Sequence, residues 1–295
     1  MTRTVYVNGR YRPYAEASVH VEDRGFQFAD AVYEVIEVMD GQFVDAPRHL
    51  ARLDRSLNEL RIPRPMSEKA LLGVMAQTIR RNRVRNGLLY LQVSRGAARR
   101  DYALPPDGTR PTLVCLARSL APGVQAATAE KGIAVKTVPD IRWRRCDIKT
   151  VMLLPAVLAK AEAHEEGAKE AWLVDADGFV TEGAASNAWI VDAQGRLVTR
   201  GIGPSILAGV TRATVLDALA REGLNIEQRA FTVAEAKRAR EAFITSATNT
   251  VMPVVAVDGT PIGDGRPGPV ARRLRAVFHD VAEGGAAACP LRRND

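Results

Sequence analysis

Arg142-Trp143-Arg144-Arg145-Cys146-Asp147-Ile148-Lys149-Thr150, followed downstream by Thr181-Glu182-Gly183-Ala184-Ala185-Ser186-Asn187, is the stretch from which the rest of this chain is read. Lys149 stands between a cationic run and the apolar segment from Val151 to Leu158. Like charge and desolvation both work against an ammonium ion, and an amine so placed is a nucleophile toward carbonyl carbon. Most lysines are nevertheless solvated surface charges, and a glutamate after a threonine in a turn is usually a polar loop residue. Read singly, each residue admits both meanings.

With 295 residues, 46% of them hydrophobic, the chain can bury one large core or two moderate ones, and disorder is excluded. No apolar run approaches the roughly 18 residues needed to span a bilayer. The N-terminal Met1-Thr2-Arg3-Thr4-Val5-Tyr6-Val7 goes straight into alternation without the apolar core of a signal peptide, so a cytoplasmic protein is expected. Cys115, Cys146 and Cys289 are odd in number and lack metal-type spacing, which suits a reducing compartment. Cys146 reads as a small buried hydrophobe rather than a second nucleophile. The net charge of +7 comes largely from dispersed arginines such as Arg80, Arg81, Arg83 and Arg85, with Arg292 and Arg293 in the tail. No aromatic platform or nucleic-acid motif accompanies them, so neither nucleic acid nor membrane is an expected partner. The positive potential suits anionic small molecules.

Alternation around Asn8-Gly9 predicts an opening hairpin. Leu50, Leu53, Leu57 and Leu60, then Leu71, Leu72, Met75 and Ile79, recur at helical spacing. Strands are predicted over residues 88–93 and 112–116, separated by a polar, Pro-rich loop over residues 99–111 whose length points to function. Pro122-Gly123 marks a linker at residues 121–123 between domains over residues 1–120 and 124–283, the second carrying Lys149. Beyond it come strands near residues 134–138, 171–174, 188–191, 242–245 and 254–257, and helices over 154–166, after Gly209 and over 269–282. A frayed, disordered tail is expected at 284–295. The mixture predicts an α+β fold.

Cys146-Asp147-Ile148-Lys149, Ala159-Lys160-Ala161-Glu162-Ala163-His164, and Thr181-Glu182-Gly183 with Ser186-Asn187 together resemble the fold-type IV pyridoxal-phosphate enzymes, most of all the D-amino-acid aminotransferases. Similar segments run from Glu22-Asp23-Arg24-Gly25 to Asp258-Gly259, nearly the whole chain. The resemblance implies two α/β domains with the active site at their junction, a homodimer, and pyridoxal 5'-phosphate as cofactor. Amino acids and 2-oxo acids are the substrates it implies.

It also assigns residues. Lys149 would form the Schiff base and move the α-proton, and Glu182 would hold the pyridinium nitrogen protonated. Arg52 would bind phosphate as a charge-assisted fork, with the turn Leu207-Ala208-Gly209-Val210-Thr211 supplying Leu207, Val210 and Thr211. Ser246 would add a hydroxyl. Ala247 stands where a hydroxyl residue is common, so only its backbone amide contributes. Tyr33, Val35, Arg100, Tyr102 and Thr248 would line the substrate, with Tyr33, Arg100 and Tyr102 forming a trap for the α-carboxylate of a D-amino acid such as D-alanine. The trap's last position is commonly histidine, and Tyr102 donates one hydrogen bond but carries no positive charge near neutral pH. Either Arg99 or Arg100 can point inward. The resemblance implies that this loop serves the partner subunit's site. Within the same fold the alternatives are an (R)-selective amine aminotransferase, a branched-chain L-amino-acid aminotransferase and aminodeoxychorismate lyase. Outside enzymes, a catalytically silent ligand-binding homologue or a basic RNA-associated module is the alternative.

Overall fold

The computed structural model describes residues 3–221 and 226–286, which divide into two compact units. The first runs to Ala121 and includes Ile148–Met152; the second holds Pro122–Asp147 and the chain from Leu153.

In the first unit β1 (Thr4–Val7) and β2 (Arg10–Pro13) form the expected hairpin, and both turn residues, Asn8 and Gly9, have positive φ. After the short helix α1 (Arg24–Phe28) come β3 (Ala31–Met39), β4 (Gln42–Phe43), α2 (Ala46–Glu59), α3 (Glu68–Arg81), β5 (Gly87–Ser94) and β6 (Thr112–Ser119). The strands make one antiparallel sheet in the order β2-β1-β6-β5-β3-β4. The leucine spacing of α2 and α3 places Leu50, Leu53, Leu57, Leu72 and Met75 in the core. On β3 the period of two buries Val32, Glu34, Ile36 and Val38, and leaves Tyr33 and Val35 half-buried on the opposite face.

Lys149 departs from its expected place in the second domain. Strand β4 pairs only with Val38 and Met39, so the start of β3 has an uncovered edge. Residues 149–151 fill it. The Tyr33 N–H donates to the Lys149 carbonyl at 3.0 Å, the Val151 N–H donates to Ala31 at 3.1 Å, and Val32 bridges Thr150. An open strand edge recruits whatever backbone can pair with it, and here that is the segment carrying the lysine.

The second unit contains α4 (Val124–Lys131), which begins at once after Gly123, then β7 (Ile133–Pro139), α5 (Leu154–Glu165), β8 (Glu170–Val174), β9 (Phe179–Gly183), β10 (Asn187–Val191) and β11 (Leu197–Thr199). There follow α6 (Val210–Arg221), β12 (Ile226–Gln228), β13 (Phe231–Thr232), α7 (Val233–Lys237), β14 (Glu241–Ser246), β15 (Thr250–Val257), β16 (Thr260–Pro261) and α8 (Pro269–Ala286). Its sheet runs β12-β11-β10-β14-β15-β7-β8-β9-β13, with β16 on β15; β7 and β8 are parallel and joined through α5. Trp172, Ile190, Phe231, Ile244 and Val254 pack its core. The expected tail lies, beyond Ala286, outside the described residues, as does Cys289.

Candidate active site

In the first unit the Lys149 ammonium lies 4.2 Å from the centre of the Tyr33 ring, and Tyr33 stacks on Tyr90 with ring centres 5.7 Å apart. Tyr90 donates to Gln92 at 2.6 Å, and burial pushes its phenol up to about 12. Val35 pairs with Tyr90 across the strands, so Lys149, Tyr33, Val35 and Tyr90 share the half-open face of the sheet. Beneath the other face Glu34 is fully buried and accepts from Arg52 Nε at 2.8 Å, Arg52 Nη2 at 2.7 Å and His49 Nδ1 at 2.7 Å. Burial works to raise the Glu34 carboxyl, but the charge and hydrogen bonds of Arg52 outweigh it, with help from His49, and hold it at about 2. Burial lowers His49 despite Glu34. The fork expected of Arg52 is thus oriented by a carboxylate from the neighbouring strand.

In the second unit Glu182, at the end of β9, is ringed by donors. Arg142 Nη1 donates to Oε1 at 2.5 Å, Asn187 Nδ2 to Oε2 at 2.9 Å, and the Leu207 N–H to Oε2 at 3.1 Å. Arg142 is itself forked on Asp140, with Nε at 2.9 Å and Nη2 at 2.7 Å. Burial opposes the Arg142 charge, but Asp140 and Glu182 outweigh it and raise its pKa. Asn187 also donates to the Leu207 carbonyl at 3.0 Å, which ties the carboxylate to the turn before α6. A Cβ on Gly209 would stand 2.0 Å from Asn187 Oδ1, so only glycine lets this turn close. The first N–H groups of α6, at Val210 and Thr211, have no acceptor within the helix. Carboxylate and helix start are therefore parts of one hydrogen-bonded piece, and their chemistry is compatible with the ring nitrogen and phosphate of pyridoxal phosphate.

The turn between β14 and β15 holds Ser246, Ala247 and Thr248. Ser246 Oγ lies 3.1 Å from Thr248 Oγ1 and accepts from the Asn249 N–H at 3.3 Å. Arg275, on α8, props the turn by donating to the Asn249 and Val251 carbonyls, each at 2.7 Å. Arg100 and Tyr102 lie in the loop after β5, with Tyr102 83% exposed. The Arg100 guanidinium is 5.3 Å from the centre of Phe28, against which Tyr102 tilts at 5.7 Å. Arg99 and Arg100 are both exposed.

Two residues of this geometry escape sequence reasoning. Arg142 looked like one member of a bare cationic run flanking Lys149. In the fold Arg142 is paired with Asp140 and Glu182, and Arg145 with Asp147, so these two arginines are not bare charges. Asp140, two residues before Arg142, was the available signal. Glu34 follows Tyr33 directly, and only the strand's alternation turns it inward to Arg52.

A glutamate tied to the glycine turn of a helix start, on a chain whose other unit presents a lysine on a tyrosine-lined sheet face, directs comparison to known transferases. The sequence profile of the family described as amino-transferase class IV matches residues 31–257. This chain belongs to that family. It is similar to a D-alanine aminotransferase of Bacillus licheniformis, 38% identical over 94% of this chain and 96% of that protein, and to one of Staphylococcus haemolyticus, 36% identical over 95% and 98%. Among solved structures, a T.th. branched-chain amino acid aminotransferase with pyridoxamine 5'-phosphate superposes with a TM-score of 0.85 at 26% identity, covering 97% of this chain and 95% of that one. The Escherichia coli branched-chain amino acid aminotransferase, at 23% identity and a TM-score of 0.86, shares the fold over 97% of this chain and 96% of that one.

Proposed function

We propose that this aminotransferase binds pyridoxal 5'-phosphate and moves the amino group of a D-amino acid such as D-alanine to a 2-oxo acid such as 2-oxoglutarate. The observation that carries the reading is that Asn187 donates to both Glu182 and the Leu207 carbonyl, which supports Glu182 as ring-nitrogen partner and the turn before α6 as phosphate holder in one hydrogen-bonded element. The D-alanine aminotransferases similar to this chain along nearly their full length support the substrate class.

Pyridoxal phosphate, when bound, supplies an aldehyde that takes up the amino group and a ring that delocalises the α-carbon electrons. Lys149 Nζ would hold the cofactor at that aldehyde and would carry the α-proton as base and then acid. Glu182, steadied by Arg142 and Asn187, keeps a proton at the ring nitrogen. Val210 and Thr211 amides, the Leu207 turn, Ser246, the Ala247 amide and Arg52 hold the phosphate. Tyr33, Arg100 and Tyr102 orient the α-carboxylate, while Val35 and Thr248 border the side chain. We further propose a homodimer in which the exposed Arg100–Tyr102 loop serves the partner's site, and a cytoplasmic location in keeping with the free thiols Cys115 and Cys146.

Mixing purified holoenzyme with D-alanine, D-glutamate, L-leucine or (R)-1-phenylethylamine, and following loss of the cofactor's near-visible band, tests the reading. Bleaching by the D-amino acids is expected. Bleaching by L-leucine alone would replace the reading with the branched-chain one.

A further inference from the structure

The base of the loop carrying Arg100 and Tyr102 is pinched. Gly96 takes φ +102°, and a Cβ there would meet the Arg110 carbonyl at 2.0 Å, so the loop's two ends touch. Further out, Arg24 of α1 reaches it. Arg24 is buried, 4% exposed, and its Nη1 donates to the Asp101 carbonyl at 2.7 Å, between Arg100 and Tyr102. Its Nε donates to Asp30 at 2.9 Å. Asp30 is also forked by Arg95, through Nε at 2.7 Å and Nη2 at 2.9 Å, and Arg95 reaches the Leu60 and Arg61 carbonyls that follow α2.

Two buried guanidiniums thus share one carboxylate, and each also donates to a backbone carbonyl. Were the loop to leave, Arg24 would lose the Asp101 carbonyl as acceptor, which is costly for a charged group. Burial acts to raise the Asp30 carboxyl, but Arg95 and Arg24 outweigh it and keep it below the usual range. Phe28, at the end of the same helix, completes the arrangement: Arg24 lies 4.7 Å from its ring centre, Arg100 5.3 Å and Tyr102 5.7 Å. One aromatic ring is therefore the platform for the anchoring guanidinium and for both loop side chains.

We propose that Arg24 and Phe28 form a fixed seat for the Arg100–Tyr102 loop and are positioning residues for recognition of the substrate α-carboxylate. This rests on the aminotransferase reading with Arg100 and Tyr102 as carboxylate donors. The seat touches no substrate; it sets where the donors stand before substrate arrives, so its loss is felt in binding rather than in chemistry.

Full-length holoenzyme carrying Phe28→Leu, Phe28→Tyr or Arg24→Lys is compared with the parent by two readouts. In native trypsin digestion, cleavage after Arg99 or Arg100 is timed by mass spectrometry. Release of the loop in Phe28→Leu and Arg24→Lys should speed it on the order of tenfold. In steady-state kinetics, KM for D-alanine and for 2-oxoglutarate should both rise roughly tenfold with kcat within about twofold, and Phe28→Tyr, which keeps the ring, should restore parental values. A merely structural defect would lower kcat as well and would not spare Phe28→Tyr. Unchanged cleavage in Phe28→Leu, or faster cleavage without a rise in KM, overturns the proposal. Should Arg24→Lys fail to fold, Phe28→Leu alone decides it. A parent enzyme inert toward D-alanine would instead overturn the functional reading, while the digestion would still report whether the seat holds the loop.

Discussion

At the scale of single residues, the chemistry rests on side chains whose partners lie far away in the chain. Lys149 gains a tyrosine face because residues 149–151 pair with the start of β3. Replacing it with alanine should abolish turnover while thermal unfolding stays near the parental midpoint, since the backbone pairing remains; residual turnover would assign the proton transfer elsewhere. Glu34 and His49 offer a test of the buried ion pair. Both have folded pKa values below their ordinary 4.5 and 6.5, so the unfolded chain binds protons more readily than the folded one. Their contribution to stability is complete above pH 6.5, declines first as unfolded His49 protonates, and is lost further between 4.5 and about 2 as Glu34 does. The melting temperature should therefore fall on acidification from neutrality, and Glu34→Gln should cost about 3 kcal/mol at pH 7, because Arg52 is left buried beside a neutral amide. A pH-independent melting temperature in the parent between pH 7 and 4 would contradict this.

At the scale of elements, the start of α6 is the most constrained piece of the candidate site. Gly209→Ala places a methyl group against Asn187, so either the turn or the amide must shift, and with it the tie to Glu182. The affinity for pyridoxal phosphate should fall at least roughly tenfold by spectroscopic titration, with helix content by circular dichroism unchanged. Arg142→Met would remove the guanidinium from Glu182. A kcat lowered on the order of tenfold or more, with KM nearly unchanged, is expected from stopped-flow bleaching, because the loss falls on the chemical step. How legible these elements were depended on their periodicity. The leucine repeats of α2 and α3 and the Asn8-Gly9 hairpin are local patterns, and their predicted positions agree with the fold. Strands β3 and β9, which carry Tyr33 and Glu182, were not separately predicted, since polar site residues interrupt the apolar pattern that announces a strand. The helix α4, which starts on the heels of Pro122-Gly123, was hidden by those same turn residues.

At the scale of the whole molecule, the exposed loop and the proposed dimer make a prediction that no single-chain experiment supplies. Lys149→Ala and Arg100→Ala proteins, each inactive toward D-alanine, should regain activity when mixed and allowed to exchange subunits. If the loop serves the partner's lysine, half of randomly reassorted dimers carry one intact site, and roughly a quarter of parental activity returns. If the loop serves its own chain, every site keeps one defect and nothing returns.

The kind of chemistry was determined by sequence alone: a lysine after Cys146-Asp147-Ile148, a glutamate in Thr181-Glu182-Gly183, a glycine before a helix, and an arginine beside a tyrosine in a long loop are covalent facts that need no fold to be read. The partners of those residues were decided only by tertiary structure. Asn187 reaches Leu207, Arg142 reaches Glu182, Glu34 faces Arg52 and Arg24 holds Asp101 because the folded strands, helices and loops bring together positions that are distant along the chain. A short polar contact has no periodicity in sequence. It exists once burial has removed water and left each donor only protein acceptors within reach.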